Sequence, residues 1–243
     1  MNDIKKAINQ IPLPKQLSKV TQSSLNHIPQ KSKKGRWILP TVATLFLTIF
    51  TSSFVLSNYI SIPEFFQTKE KRLAQIDPSV IVVESDKFSI SLKQFIDYKE
   101  NTLLIHEVNN YPYTLTDLDV LNRMIENELL LAEAKKAGIT VTSEEVETHI
   151  SEVQSALEVT NDPILNELTD QLAKALNVSV DDYYEHPETI AKYEAVVMTN
   201  KFVEKLYVDG VLNDQYNIEQ YKVDLRMSHK SNLYIFENEL IPH

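Results

Sequence analysis

The sequence predicts a mainly α protein, in which one transmembrane helix is followed by a helical domain with a small terminal β-sheet. Three observations lead to this fold class: an uncharged apolar run over residues 38–60, helix-capping signals with apolar residues at helical spacing beyond it, and short strand-like runs at both ends of the helical part. Glycine is also scarce, with three in 243 residues, whereas all-β folds need many glycine-rich turns. We therefore expect helices to make up most of the domain.

The apolar run over residues 38–60 is long enough to be a membrane span, because about 20 helical residues cross a hydrocarbon core of roughly 30 Å. Pro40 lies near its start, where a missing N–H is tolerated. Trp37 and Tyr59 lie at its two ends, where aromatic belts occur. A cleaved signal peptide ending near Ser57 and a buried helix of a soluble protein are the alternatives. The favoured interpretation is an anchor in contact with membrane lipid.

Charge asymmetry gives the orientation of this anchor. Residues 1–37 carry eight basic side chains against one acid, a net charge of +7, and residues 64–243 carry 16 against 33, a net charge of −17. Positive residues that flank a span stay on the cytoplasmic side, and a basic cluster directly precedes this one: Lys31, Lys33, Lys34 and Arg36. We therefore expect a single-pass cell-membrane protein with a cytoplasmic N-terminus.

Four segments follow from this topology. They are a basic cytoplasmic arm over residues 1–37, the transmembrane helix over 38–60, a polar stalk over 61–77 and an extracytoplasmic helical domain over 78–243.

The outer domain is predicted to begin with a β-hairpin. Val80–Val83 is a β-branched run, residues 84–87 are turn-like, and Phe88–Ile90 alternates between apolar and polar side chains. Ser91 is then the predicted N-cap of a helix. At the other end of the domain, Leu233–Phe236 has the composition of a strand, and we expect it to pair with Val80–Val83.

Capping signals mark the helices between these strands. Thr116 with Asp119, and Thr142 with Glu145, have the spacing of capping boxes, and Gly138 is suited to the stop between them. Further helices are predicted to begin after the Asn161-Asp-Pro163 break, at Ser179, at Pro187 and at Ile218.

One motif resembles a known family. Residues 121–146 read Leu-Asn-Arg-Met-Ile-Glu-Asn-Glu-Leu-Leu-Leu-Ala-Glu-Ala-Lys-Lys-Ala-Gly-Ile-Thr-Val-Thr-Ser-Glu-Glu-Val. This segment resembles the N-terminal domain of SurA/PrsA-type extracytoplasmic chaperones, and residues 78–237 are similar to that domain in their order of elements. Ser85-Asp86 stands where the family usually has an Asn-Gly turn. The resemblance implies a helical domain that cradles unfolded or exported polypeptides.

That family commonly joins this domain to a parvulin-type prolyl isomerase domain. Only about thirty residues follow Gly210, whereas a domain of that kind needs on the order of a hundred. We therefore expect polypeptide binding without isomerase catalysis.

Residue types that carry chemistry form no recognisable catalytic, cofactor or metal site. The chain has no cysteine, no HExxH or His-x-His pair and no phosphate-binding loop. The acidic pairs Glu144-Glu145 and Asp181-Asp182 lie at predicted helix starts, where carboxylates favour the helix dipole. Solvent-facing or core positions are expected for the histidines of the outer domain, which are His106, His149, His186, His229 and His243. We expect no enzyme activity, no cofactor and, given the acidic domain, no nucleic-acid partner.

The sequence does not identify the peptide-binding residues. Aromatic side chains of the C-terminal half can line a groove for apolar peptide or fill the core: Tyr183, Tyr184, Tyr193, Phe202, Tyr207, Tyr216 and Tyr221.

Three functions are compatible with these features. The first is a tethered chaperone-like protein that binds unfolded or exported polypeptides. The second is a membrane regulator with a cytoplasmic partner, because residues 11–17 (Ile-Pro-Leu-Pro-Lys-Gln-Leu), followed by a basic patch and a span, resemble the start of anti-sigma-factor-type proteins. The third is a dedicated assembly partner of one envelope protein. A regulator would need residues 1–36, whereas a chaperone would work without them.

Overall fold

The computed structural model describes residues 61–109 and 111–240. The predicted arm (1–37) and transmembrane segment (38–60) lie outside this part. No helix in it combines the length and the apolar character that a membrane span requires. Its elements are helix α1 (Ile62–Ala74), strands β1 (Ile81–Glu84) and β2 (Ser89–Ser91), helices α2 (Leu92–Val108), α3 (Asp117–Lys136), α4 (Ser143–Thr160), α5 (Pro163–Ala175), α6 (Val180–Tyr183), α7 (Pro187–Val208) and α8 (Ile218–Ser228), strand β3 (Tyr234–Ile235), and 3-10 turns at Lys230–Asn232 and Glu237–Leu240.

The strands form one antiparallel sheet in the order β2-β1-β3. Val83 pairs with Ile235, and the amide of Phe236 donates to the carbonyl of Val82 at 3.0 Å. The hairpin turn closes at Ser85, whose amide and hydroxyl both donate to the carbonyl of Phe88. The mainly helical fold, the hairpin and the pairing of the two ends of the domain are therefore confirmed.

The predicted polar stalk over residues 61–77 is corrected by the structure. Ser61 caps α1. The helix residues Ile62 and Phe66 are 7% and 3% exposed because they pack on α2 and α5. The buried Lys69 ammonium lies 2.9 Å from Asp97 of α2 and 4.7 Å from the centre of the Phe66 ring. Helical spacing places these side chains on one face, so α1 belongs to the folded body.

Helix α3 is the centre of the domain. It contributes Leu121, Ile125 and Leu129 to a core shared with the sheet and α2, and Leu130 and Ala134 to a core shared with α7. All five side chains are at most 1% exposed.

The ends of α3 and α4 follow the sequence signals. Both predicted capping boxes are formed, at Thr116 with Asp119 and at Thr142 with Glu145. Gly138 stops α3 with a φ of +74°, a conformation that glycine adopts without steric cost. The short link from Gly138 to Thr142 folds α4 back beside α7, which positions the groove described next.

Candidate peptide-binding groove

A groove of about 540 Å³ lies between α4 on one side and α6 with the start of α7 on the other. We call it the α4–α7 groove. Its floor is apolar: Val146, Ile150 and Tyr184 are 5–8% exposed and belong to one small core cluster. Ile190, at 39% exposed, lies on the α7 wall and leaves a larger apolar surface open to solvent. Such a concave apolar surface is typical of ligand sites.

The rim of the groove is acidic. Its charged lining residues are Glu147, Asp181, Glu185 and Glu194, and all four are exposed. No lysine or arginine lines the groove, so its surface combines an apolar floor with negative charge on both walls.

A tyrosine cluster supports the floor from below. The rings of Tyr183 and Tyr184 meet edge to face at 5.1 Å, and Tyr193 of α7 meets His149 of α4 at 5.8 Å. Burial raises the pKa of Tyr183, Tyr184 and Tyr193, because the interior disfavours the phenolate. These rings therefore remain neutral at physiological pH and join α4 to α6 and α7.

The start of α4 is held by a second set of contacts. The carboxylate of Glu145 accepts from the amide of Thr142 at 2.8 Å and from the ammonium of Lys201, on α7, at 2.6 Å. Lys201 also donates to the carbonyl of Thr140 at 2.7 Å. The Lys201 ammonium, together with the Thr142 amide, lowers the pKa of Glu145. One lysine thus fixes the entry of α4 against α7, beside the groove.

A family model described as the SurA-like N-terminal domain matches residues 30–162, just over half of the chain. The chain belongs to this SurA-like family. The match confirms the resemblance found in the sequence, and the family is chaperone-like and associated with binding unfolded polypeptides. No curated protein and no solved structure matches the chain.

The matched region includes α1, the β-hairpin, α2, α3 and α4 of the described part. The α4 wall of the groove therefore lies within the SurA-like family match, and the α6–α7 wall follows it. The resemblance over residues 163–237 stays a prediction.

The histidines of the described residues make local contacts with neighbouring side chains and backbone. His186 caps α7, its Nδ1 accepting from the amide of Glu188 at 3.3 Å, and His149 packs on Tyr193. His106 packs on Tyr113, and His229 lies 2.9 Å from the Lys87 ammonium, while His243 is outside the described residues. Within the described ranges, no three His, Asp or Glu side chains are grouped so that they could hold a metal ion.

The acidic pairs occupy the helix starts predicted for them. Glu145 completes the capping box of α4, and Asp182 bonds to the Ser179 cap of α6 at 2.6 Å. Asp181 also lines the groove rim. Its position at a helix start does not predict this second location.

The aromatic side chains divide between the two roles left open by the sequence. Phe202 is buried in the core between α3 and α7, and Tyr207, Tyr216 and Tyr221 pack against that core. Tyr184 does both, since it is buried and also lines the groove. The groove residues Val146, Ile150 and Ile190 belong to apolar patterns seen in the sequence, but helical spacing alone does not show which apolar side chains stay uncovered.

Proposed function

We propose that this SurA-like chain is a membrane-anchored extracytoplasmic chaperone-like protein. In this proposal it binds unfolded or extended polypeptide and has no prolyl isomerase activity. The anchor and the orientation rest on the apolar run over residues 38–60 and on the basic cluster before it. Membership of a chaperone-like family supports the binding of unfolded chains.

The observation that carries the proposal is the α4–α7 groove. A volume of about 540 Å³ lies within the roughly 300–1,000 Å³ typical of ligand pockets. It therefore suits a few side chains of an extended segment and not a folded domain. Ile190, which is 39% exposed on the α7 wall, offers the larger apolar surface to side chains that an unfolded client exposes, and the nearly buried Ile150 and Tyr184 form the floor beside it.

The test uses the full chain in lipid nanodiscs, added at increasing ratio to an aggregating unfolded protein while light scattering is followed. We expect the chain to suppress scattering, and we expect no acceleration of prolyl isomerisation in a parallel peptide assay. Ile190→Asn should weaken the suppression about threefold or more, because it removes apolar contact area from the groove wall. Val159→Asn is the matched control, since Val159 is 88% exposed on α4 and does not line the groove.

Unchanged scattering with a folded, membrane-inserted chain would contradict general chaperoning. A single dedicated partner or a regulatory role through residues 1–36 would then be the explanation to pursue. Equal activity of Ile190→Asn and Val159→Asn would instead reject the α4–α7 groove as the binding surface.

A further inference from the structure

We infer that the α4–α7 groove selects polypeptide segments in which lysine or arginine flanks large apolar side chains. This inference rests on the proposed function and names the class of client that the groove accepts.

The rim carboxylates stand on both walls of the groove. Glu147 lies on α4, Asp181 on α6, Glu185 in the link to α7 and Glu194 on α7. None of the four forms an ion pair with another residue of the described ranges. Exposed carboxylates are charged at neutral pH, so a bound segment meets negative charge on either side of the floor.

The wider surroundings strengthen this field. Residues 137–194 contain thirteen acidic side chains and two basic side chains, Lys174 and Lys192, and Lys192 is exposed on α7 outside the groove lining. The Lys174 ammonium is already paired with Asp170 on α5 at 2.5 Å. On α7, the Lys201 ammonium is held by Glu145 and by the carbonyl of Thr140. A concentration of one sign of charge attracts ligands of the opposite sign and repels acidic ones.

The apolar floor sets the second requirement. Side chains of an extended segment alternate between its two faces, so large apolar residues can enter toward Val146 and Ile150 while their neighbours point toward the walls. Lysine and arginine carry long apolar stems that cover hydrophobic surface while the charged head stays in water. Their stems can pack on Ile190 and their heads can reach the carboxylates of Glu147 and Glu194. An acidic segment would place like charges together at the same positions.

The test measures the binding of fluorescent peptides of about ten residues to the full chain in nanodiscs of phosphatidylcholine, which has no net charge. One peptide has an apolar Leu-Phe-Leu centre flanked by lysines; matched peptides replace the lysines by glutamine or glutamate, or the centre by serine and glycine. We expect the Lys-flanked apolar peptide to bind about fivefold or more tighter than its Glu-flanked counterpart. We expect the advantage to shrink in about 0.5 M salt.

The double variant Glu147→Gln/Glu194→Gln should remove most of this preference, because it lowers the affinity for the Lys-flanked peptide by a larger factor than the affinity for the Gln-flanked apolar peptide. Glu158→Gln/Glu152→Gln is the control, because both acids are exposed on α4 and outside the α4–α7 groove. Equal binding of Lys- and Glu-flanked peptides, or equal effects of the two double variants, would overturn the inference while the proposed function stands. Equal binding of the apolar and serine-glycine centres would also overturn it, since it would indicate adsorption of any polycation. Binding of none of the peptides would contradict the proposed function itself.

Discussion

At the scale of single residues, a partly buried ion pair between Glu126 of α3 and Arg226 of α8 joins two helices. The Arg226 Nε donates to the Glu126 carboxylate at 2.8 Å, and the two side chains are 24% and 10% exposed. Water cannot replace the lost partner well at such a depth. A charge left alone there costs free energy that an exposed charge does not.

Arg226→Met should therefore lower the free energy of unfolding by about 3 kcal/mol, since methionine keeps the stem volume but leaves Glu126 without its cation. Lys222→Met is the matched control on the same helix, because its partner Glu219 is 71% exposed and its loss should cost under about 1 kcal/mol. Denaturant unfolding measures both values. Equal losses of unfolding free energy in the two variants would show that the Glu126–Arg226 pair stabilises the fold no more than an exposed pair does.

The tyrosines beneath the groove predict a loss of stability in alkali. Burial raises the pKa of Tyr193 above its ordinary value near 10, so the folded state holds this proton more tightly than the unfolded state. The contribution is complete below about pH 10 and is lost as the pH rises above it. Tyr193→Phe should flatten the fall in unfolding free energy between about pH 10 and 11.5. Denaturant unfolding across this pH range measures the slope, and a slope for Tyr193→Phe equal to that of the wild type would contradict the assignment.

At the scale of elements, helices with local start and stop signals were predictable from the sequence. The α3 and α4 boundaries follow from Thr116, Gly138 and Thr142, because a cap is formed by residues three or four positions apart. Helix α1 was not predictable as part of the body. Its buried face includes Lys69, and the side chains that cover that face come from α2 and from α5, about a hundred residues away in sequence.

The cap of α4 carries a prediction for the groove. Thr142→Ala should cost about 1 kcal/mol of stability and fray the first turn of α4, whose residues Thr142, Ser143 and Val146 line the groove. Peptide affinity should fall together with helix protection in hydrogen exchange. Thr160→Ala, at the other end of α4, removes a hydroxyl that bonds only to the Ala156 carbonyl, and should change neither quantity. Frayed exchange with unchanged affinity would show that this turn does not contact the ligand.

At the scale of the whole molecule, the groove depends on relations that the sequence does not display. Val146 and Ile150 form an apolar stripe of the kind that normally packs into a core; in this chain they are 5–8% exposed within the cluster between α4, α6 and α7, and they also line the groove. The contacts of Lys201 with Glu145 and with the Thr140 carbonyl hold the start of α4 beside α7, next to the groove. Only the tertiary arrangement separates a groove floor from core.

The pairing of β3 with β1 was predicted, and it has a consequence for how the domain opens. Ile235 lies opposite Val83 and packs on the core made by the sheet, α2 and α3. The cluster beneath the groove, between α4, α6 and α7, shares no buried residue with that core. Domains open in contiguous units whose stabilities differ. A destabilising substitution in β3 should therefore lower the free energy of opening mainly in the unit that contains the sheet.

Ile235→Asp tests this division, because it places a carboxylate at a half-buried position of the sheet that an apolar side chain now fills. We expect a loss of about 2–3 kcal/mol within the sheet unit, which corresponds to hydrogen exchange roughly 100-fold faster for the amides of β1 and α2. Exchange in α4 and α7 should stay within about threefold of the wild type, and peptide affinity at the groove should be retained. Tyr234→Asp, at the exposed neighbour, should leave all of these rates nearly unchanged. Uniform acceleration through α7 would instead mean that the sheet and the groove open as one cooperative unit, and the groove would then depend on the closure of the two ends of the domain.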